Sequence, residues 1–358
     1  MNEEALHLLL SAGVKHGASD IHLKVGDPPM YRVNGVLSPL KYDKLRPADT
    51  LALCQLLVRD ASVRDALHEL QEYDTSYSLA GVGRFRVNIF RQRGSLSLVL
   101  RVIPTSTPTI QELGLPPVVA SIAEIERGLV LITGATGMGK STTLASMVGH
   151  VNATRRCHVL TIEDPIEFIH PSNVATITQR EVGIDTRSFN VALRAALRQD
   201  PDVILVGEMR DAESIDIALK ASETGHAVLS TVHTTDAAKT IHRLLSAFPA
   251  EEQQTIRYRL ADCLRAVVSQ RLVSRADGKG RVAAIEVLVV TKTVADCIRD
   301  PAQMGLIKDL IEKGRTPYQM QSFDQHLMEL YKAGVVTLEA ALEACSNPSD
   351  FQRALHFQ

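Results

Sequence analysis

Gly134-Ala135-Thr136-Gly137-Met138-Gly139-Lys140-Ser141-Thr142 follows the apolar run Gly128-Leu129-Val130-Leu131-Ile132-Thr133 and leads into Ser141-Thr142-Thr143-Leu144-Ala145-Ser146-Met147-Val148. The stretch has the form G-x-x-x-x-G-K-[ST]. Its glycines let successive backbone N–H groups turn inward on phosphate oxygens, Lys140 is placed to reach β- and γ-phosphates, and the Ser141 hydroxyl suits a Mg²⁺ ligand. The apolar run predicts a short buried strand, and the run after the loop predicts a helix whose N-terminus faces the anion. Strand, loop and helix together make a nucleotide cradle, with Gly134, Thr136, Gly137, Met138, Gly139, Lys140, Ser141 and Thr142 as its binding residues.

Further apolar runs at Val159–Ile162, Val203–Val206 and Ala227–Val232 alternate with helical stretches at 187–199, 211–223 and 237–246. That alternation predicts parallel strands covered by helices, an α/β domain with its ligand at the carboxyl ends of the strands. The residues at the end of each run are therefore informative. Val159–Ile162 ends in Glu163-Asp164-Pro165-Ile166-Glu167, and Val203–Val206 ends in Gly207-Glu208-Met209-Arg210-Asp211. Nucleotide hydrolysis needs one carboxylate in the metal shell and one group to orient and deprotonate water. Glu208 is placed for the first role, although a glycine separates it from its strand, and Glu163 for the second. His226 and His233 flank the third run, so only His233 lies at the carboxyl end, where it can sense a γ-phosphate.

The first hundred residues read as a small α+β domain. Residues 17–23 and 30–37 alternate with period two, Asn34-Gly35 marks a hairpin, and residues 44–70 read as a helix. Arg84-Phe85-Arg86-Val87-Asn88-Ile89-Phe90 and Ser95-Leu96-Ser97-Leu98-Val99-Leu100-Arg101-Val102-Ile103 read as paired strands that bring Arg86 and Arg101 together. Pro104-Thr105-Ser106-Thr107-Pro108 and Gly114-Leu115-Pro116-Pro117 form the linker. The expected boundaries are 1–103, a linker at 104–117, a nucleotide domain at 118–292, and a helical region at 293–358.

Composition excludes several classes. Lys plus Arg number 39 against 41 acidic residues, aromatics are 4% and Trp is absent, which argues against a nucleic-acid channel. No run reaches the roughly 18 apolar residues of a membrane span, so a cytoplasmic protein is expected. The five cysteines stand far apart without a C-x-x-C pair, against both a disulfide framework and a zinc site.

The chain resembles the bacterial secretion and type IV pilus ATPases, and most closely the retraction (PilT/PilU-like) branch. The resemblance is carried by Ala18-Ser19-Asp20-Ile21-His22-Leu23, the P-loop, Thr161-Ile162-Glu163-Asp164-Pro165-Ile166-Glu167, Gln179-Arg180-Glu181-Val182-Gly183, Gly207-Glu208-Met209-Arg210-Asp211, and Gly225-His226 through His233-Thr234-Thr235. It implies a PAS-like α+β domain followed by a RecA-like P-loop ATPase domain with a helical C-terminal region. It further implies ATP and Mg²⁺, with Glu163 as base, Ser141 and Glu208 as metal ligands, and Arg86 and Arg101 reaching a neighbour's γ-phosphate. The implied assembly is a homohexamer at the cytoplasmic face of the inner membrane, docked on a PilC-like platform protein and working with or without a paralogous retraction ATPase. The absence of a long N-terminal extension and of a four-cysteine zinc element points to the retraction branch. Leu306–Gly314 resembles its signature helix, with a shorter spacer after it than the family has, and the tail is nearer the PilU type. The alternatives are an accessory ATPase dependent on a paralogous motor and a pilus-assembly or secretion ATPase.

Overall fold

The computed structural model describes residues 1–356, so residues 357 and 358 of the expected helical region lie outside it. The chain divides into two compact units: Met1–Ser106 with Pro165–Ile169, and Thr107–Asp164 with everything described from His170 onward.

The first unit holds β1 (Ala18–Leu23), β2 (Met30–Val33), β3 (Val36–Pro39), β4 (Glu72–Leu79), β5 (Gly83–Gln92) and β6 (Ser95–Ile103) in an antiparallel sheet ordered β3-β2-β1-β6-β5-β4. Asn34 and Gly35, at φ 49° and 82°, make the two-residue turn between β2 and β3. Phe85, Val87, Ile89, Leu98 and Leu100 pack with Leu6, Leu10, Leu53 and Leu57 of the helices Glu3–Lys15 and Pro47–Leu57. The single helix expected over residues 44–70 is two helices, Pro47–Leu57 and Ala61–Asp65. Val58 turns extended, and the Asp60 carboxylate then caps a new start by accepting from the Ser62 and Val63 N–H groups.

The second unit carries β7 (Gly128–Thr133), β8 (His158–Glu163), β9 (Thr176–Glu181), β10 (Val203–Val206), β11 (Ala227–Val232), β12 (Leu264–Ser274) and β13 (Arg281–Val289), ordered β13-β12-β7-β11-β10-β8-β9. All neighbours are parallel except β12 and β13, so the sheet is mixed. Strands β7, β10 and β11 are buried along their whole length, which is why they read as apolar runs, interrupted inside only by Ser230 and Thr231 of β11. Side chains alternate between the faces. Leu129, Leu131, Ile204 and Val206 pack on the helices Phe189–Ala196, Ala212–Glu223 and Ala237–Leu245. Val130, Ile132, Val203 and Leu205 pack on Val118–Ala123 and Lys140–Thr154. Ile110 and Leu115, from the stretch read as linker, are buried in this second layer. The helices Phe323–Lys332 and Leu338–Ala344 close a further cluster on Val273 and Val282.

Glu286 on β13 is only 7% exposed, and burial pushes its carboxyl up to about 7, although hydrogen bonds from Ala237 N–H (2.8 Å) and Ser269 Oγ (3.1 Å) pull the other way. A carboxyl raised on folding stabilises the protein fully below its ordinary value of 4.5 and loses that contribution as pH rises through about 7. Glu286→Gln should therefore flatten the fall in unfolding free energy between those two pH values, by on the order of 3 kcal/mol. Urea melts of both proteins across that range check it, and parallel curves would refute it.

Candidate nucleotide site

The residues after β7, β8, β10 and β11 define the site. Gly134 has φ +150°, and a Cβ there would meet the Gln270 carbonyl oxygen of neighbouring β12 at 2.6 Å. The loop backbone can pass that strand only without a side chain. Gly137 and Gly139, at φ +78° and +81°, complete the turn into the helix Lys140–Thr154. No side chain caps the start of that helix, whereas Ser188, Asp211 and Asp236 cap the three neighbouring helices on the opposite face of the sheet. Its first N–H groups are thus available to an anion.

The Lys140 side chain is folded back into the loop. Its ammonium donates to the Gly134 and Ala135 carbonyls at 2.9 and 3.0 Å and lies 3.4 Å from His233 Nδ1. The other ring nitrogen, Nε2, is 3.3 Å from Glu208 Oε1. An ammonium has only protons to offer, so Nδ1 accepts and Nε2 carries the hydrogen that faces the carboxylate. His233 therefore stands between Lys140 and Glu208 and joins the two. Thr136 Oγ1 is also 3.4 Å from Nδ1.

Glu208 is held further by Arg210 Nη2 at 2.8 Å, and that bond, followed by the charges of Glu208 and Asp164, raises the Arg210 guanidinium above its ordinary value. The glycine between strand and acid has a structural reason. Gly207 N–H donates to the Ile162 carbonyl at 2.8 Å, and its carbonyl accepts from Thr231 Oγ1 at 2.6 Å. A Cβ there would come within 3.2 Å of the Ile162 oxygen.

Glu163 ends β8, with its Oε1 accepting from Thr161 Oγ1 at 2.6 Å and Gln179 Nε2 at 3.0 Å. Asp164 comes next, while Glu167 lies in the segment that packs with the first unit. His226, at the far end of β11, sits 2.9 Å from the Ala221 carbonyl and finishes the helix Ala212–Glu223. Its position is away from the carboxyl ends of the strands.

In the first unit Arg86 and Arg101 are directly opposite on β5 and β6. Arg101 Nε donates to Asp20 Oδ1 at 2.9 Å, and Arg86 stands 4.0 Å from Asp74. Desolvation raises the Asp20 carboxyl, but the bonds from Arg101 and Ser19 outweigh it and hold it below its ordinary value.

Two residues escape sequence reasoning. Gln270 Oε1 accepts from Thr143 Oγ1 at 2.7 Å, and its amide nitrogen would lie 2.9 Å from a Cβ on Gly139. Arg210 stands out in the sequence only as part of a motif. The signal for Gln270 is a polar residue inside the mainly apolar run 264–273, a weak one because β12 carries no motif. A cavity of about 800 Å³ opens between Gly134, Met138, Gln270 and Leu272 on one side and Lys308 and Ser322 on the other. Ser141 and Glu208 supply hard oxygen donors of the kind Mg²⁺ takes.

A family model described as type II/IV secretion system protein matches residues 2–341. The type IV pilus retraction ATPase PilT of Pseudomonas aeruginosa is 45% identical over 96% of this chain and 98% of its own length. The type IV pilus ATPase PilU of the same organism is 42% identical over 96% of this chain and 89% of its own length. A crystal structure of the pilus retraction motor PilT with bound ADP matches with a TM-score of 0.84 at 43% identity, covering 97% of this chain and 99% of that one.

Gly134→Ala should destabilise the chain by roughly 2 kcal/mol or more, through both the strained φ and the clash with β12. Chemical denaturation measures it, and a variant as stable as the parent would show that the loop relaxes freely.

Proposed function

This chain belongs to the type II/IV secretion system protein family, and we propose that it is an ATP-hydrolysing motor of the pilus-retraction branch. The observation that carries the reading is the link from Lys140 through His233 to Glu208 at the carboxyl ends of parallel strands. In this reading the first unit is the PAS-like domain and the second the RecA-like domain. Lys140 swings from the Gly134 and Ala135 carbonyls to the β- and γ-phosphates, exchanging neutral acceptors for charged ones. The backbone N–H groups from Gly137 to Thr142 surround the phosphates, and the cavity beside Gly134 and Met138 accommodates the nucleoside. Ser141 and Glu208 would hold Mg²⁺, which when bound would offset negative charge on the transferred phosphoryl group. Glu163 orients the attacking water and takes its proton. His233 loses one partner when Lys140 moves, so it reports the presence of the γ-phosphate to Glu208.

Arg86 and Arg101 place two guanidinium groups side by side, a pairing suited to the spread charge of a phosphoryl in transfer. They act on the next copy's nucleotide in a ring of six. The ring works at the cytoplasmic face of the inner membrane on a PilC-like platform protein, alone or beside a paralogous retraction ATPase. The accessory reading is separated by one measurement, the ATPase rate of the purified protein with its mass in solution.

Lys140→Ala should abolish binding of a fluorescent ATP analogue, while Glu163→Gln should keep binding and lose about 10²–10⁴-fold in turnover. Glu163→Gln within threefold of the parent rate would remove the base assignment.

Arg86→Ala and Arg101→Ala should each bind ATP and hydrolyse it poorly, since an arginine supplied in trans contributes about 10³–10⁵ in rate. Mixing Arg101→Ala with Lys140→Ala should restore activity, because some sites then pair an intact P-loop with an intact arginine donor. In rings shown to exchange subunits, activity no higher than either variant alone at every ratio would place the arginines within one chain or outside the chemistry.

A further inference from the structure

Glu163 is held in a way that its motif does not explain. Thr161 and Glu163 are two residues apart on β8 and face the same side of the sheet. Strand β9 runs parallel beside them with Gln179 in register with Thr161. Both neighbours donate to one oxygen, Glu163 Oε1, from Thr161 Oγ1 and Gln179 Nε2. The terminal torsion of a glutamate is broad, so an unsupported carboxylate samples many orientations. Two donors on a single oxygen fix the plane of the group, and it can turn only by giving up both bonds.

The donors are themselves fixed. Thr161 is fully buried. Gln179 Oε1 accepts the His170 backbone N–H at 2.8 Å, and because that N–H requires an acceptor, the amide cannot flip and its NH₂ end faces Glu163. Glu163 and His170 flank the stretch that contains Pro165–Ile169, so one amide holds both ends of it.

We propose that Gln179 is a positioning residue for ATP hydrolysis, which with Thr161 sets the orientation of Glu163 toward the attacking water. The proposal rests on Glu163 being the base. The expected effect is on turnover and not on nucleotide affinity, because the amide nitrogen of Gln179 is directed at the Glu163 carboxylate. A misplacement of about 1 Å in a catalytic group costs on the order of 10²-fold.

The test uses the full chain and two readouts, the affinity for a fluorescent ATP analogue and steady-state kcat and KM. Gln179→Glu keeps the acceptor for His170 but cannot donate to Glu163, and Gln179→Met removes both bonds without adding charge. Both should lower kcat by about 10–100-fold, with analogue affinity unchanged. Thr161→Val should fall in the same direction, and Thr161→Ser, which keeps the hydroxyl, should recover most of the rate. In a Glu163→Gln background, monitored by single-turnover hydrolysis of radiolabelled ATP, adding Gln179→Met should change the residual rate by less than about twofold, the non-additivity expected of groups acting as a unit. A further tenfold loss in that background, or Gln179 variants that turn over like the parent while Glu163→Gln is inactive, would overturn the positioning role alone. A Glu163→Gln protein as active as the parent would overturn the base assignment and this proposal with it.

Discussion

The site depends on the parallel register of four strands. Thr133 pairs with Val232, Ser230 with Val206, and Val206 with Ile162, so the chain leaves β7, β11, β10 and β8 along one edge of the sheet. A slip of one residue in any of them would turn its apolar set to the wrong face and displace the loop beyond it. The register is reinforced at that edge by polar groups that sit within an otherwise apolar run. Ser230 Oγ donates to the Val206 carbonyl at 2.7 Å, and Met209 N–H donates to the Thr231 carbonyl at 3.2 Å. These bonds fix the turn that carries Glu208, which is why the serine and threonine of β11 are fully or nearly buried.

The electrostatic design derives from that edge. Lysine, imidazole, carboxylate and guanidinium stand in sequence from Lys140 through His233 and Glu208 to Arg210. Moving one member changes the partners of the next, and the imidazole is the natural joint because either nitrogen can donate or accept. Glu208 and His233 are partly exposed, so the chain of contacts contributes little to folding stability. Its value lies in linking positions that belong to three different loops.

Much of this was legible from residues alone because the strands and the P-loop have strong local signals. The three central strands are largely apolar runs, and the glycine spacing announces the loop. Asn34-Gly35 and the pairing of Arg86 with Arg101 came from turn chemistry and strand spacing. In the second unit three strands left no such trace. Thr176–Glu181 lies at the edge of the sheet and is mostly polar, and its position is set by pairing with β8. Leu264–Ser274 and Arg281–Val289 form an antiparallel hairpin that adds to a parallel sheet, an arrangement the alternation of strand and helix does not announce. Gln270 and Gln179 belong to these strands, and so the contacts that support Gly139 and Glu163 could not be read from the motifs they serve. The break in the helix at Val58 was hidden for another reason, since leucines continue through it and only the capping acid at Asp60 marks the restart.

The partners of the two glutamates differ in kind. Glu208 is approached by the Arg210 guanidinium at 2.8 Å and the His233 ring at 3.3 Å. The two bonds on Glu163 Oε1 come from a hydroxyl and an amide, donors that are themselves neutral. The sequence difference behind this is small. Thr161 and Gln179 lie on strands and point at Glu163, whereas Arg210 and His233 lie in loops that can move when a phosphate arrives.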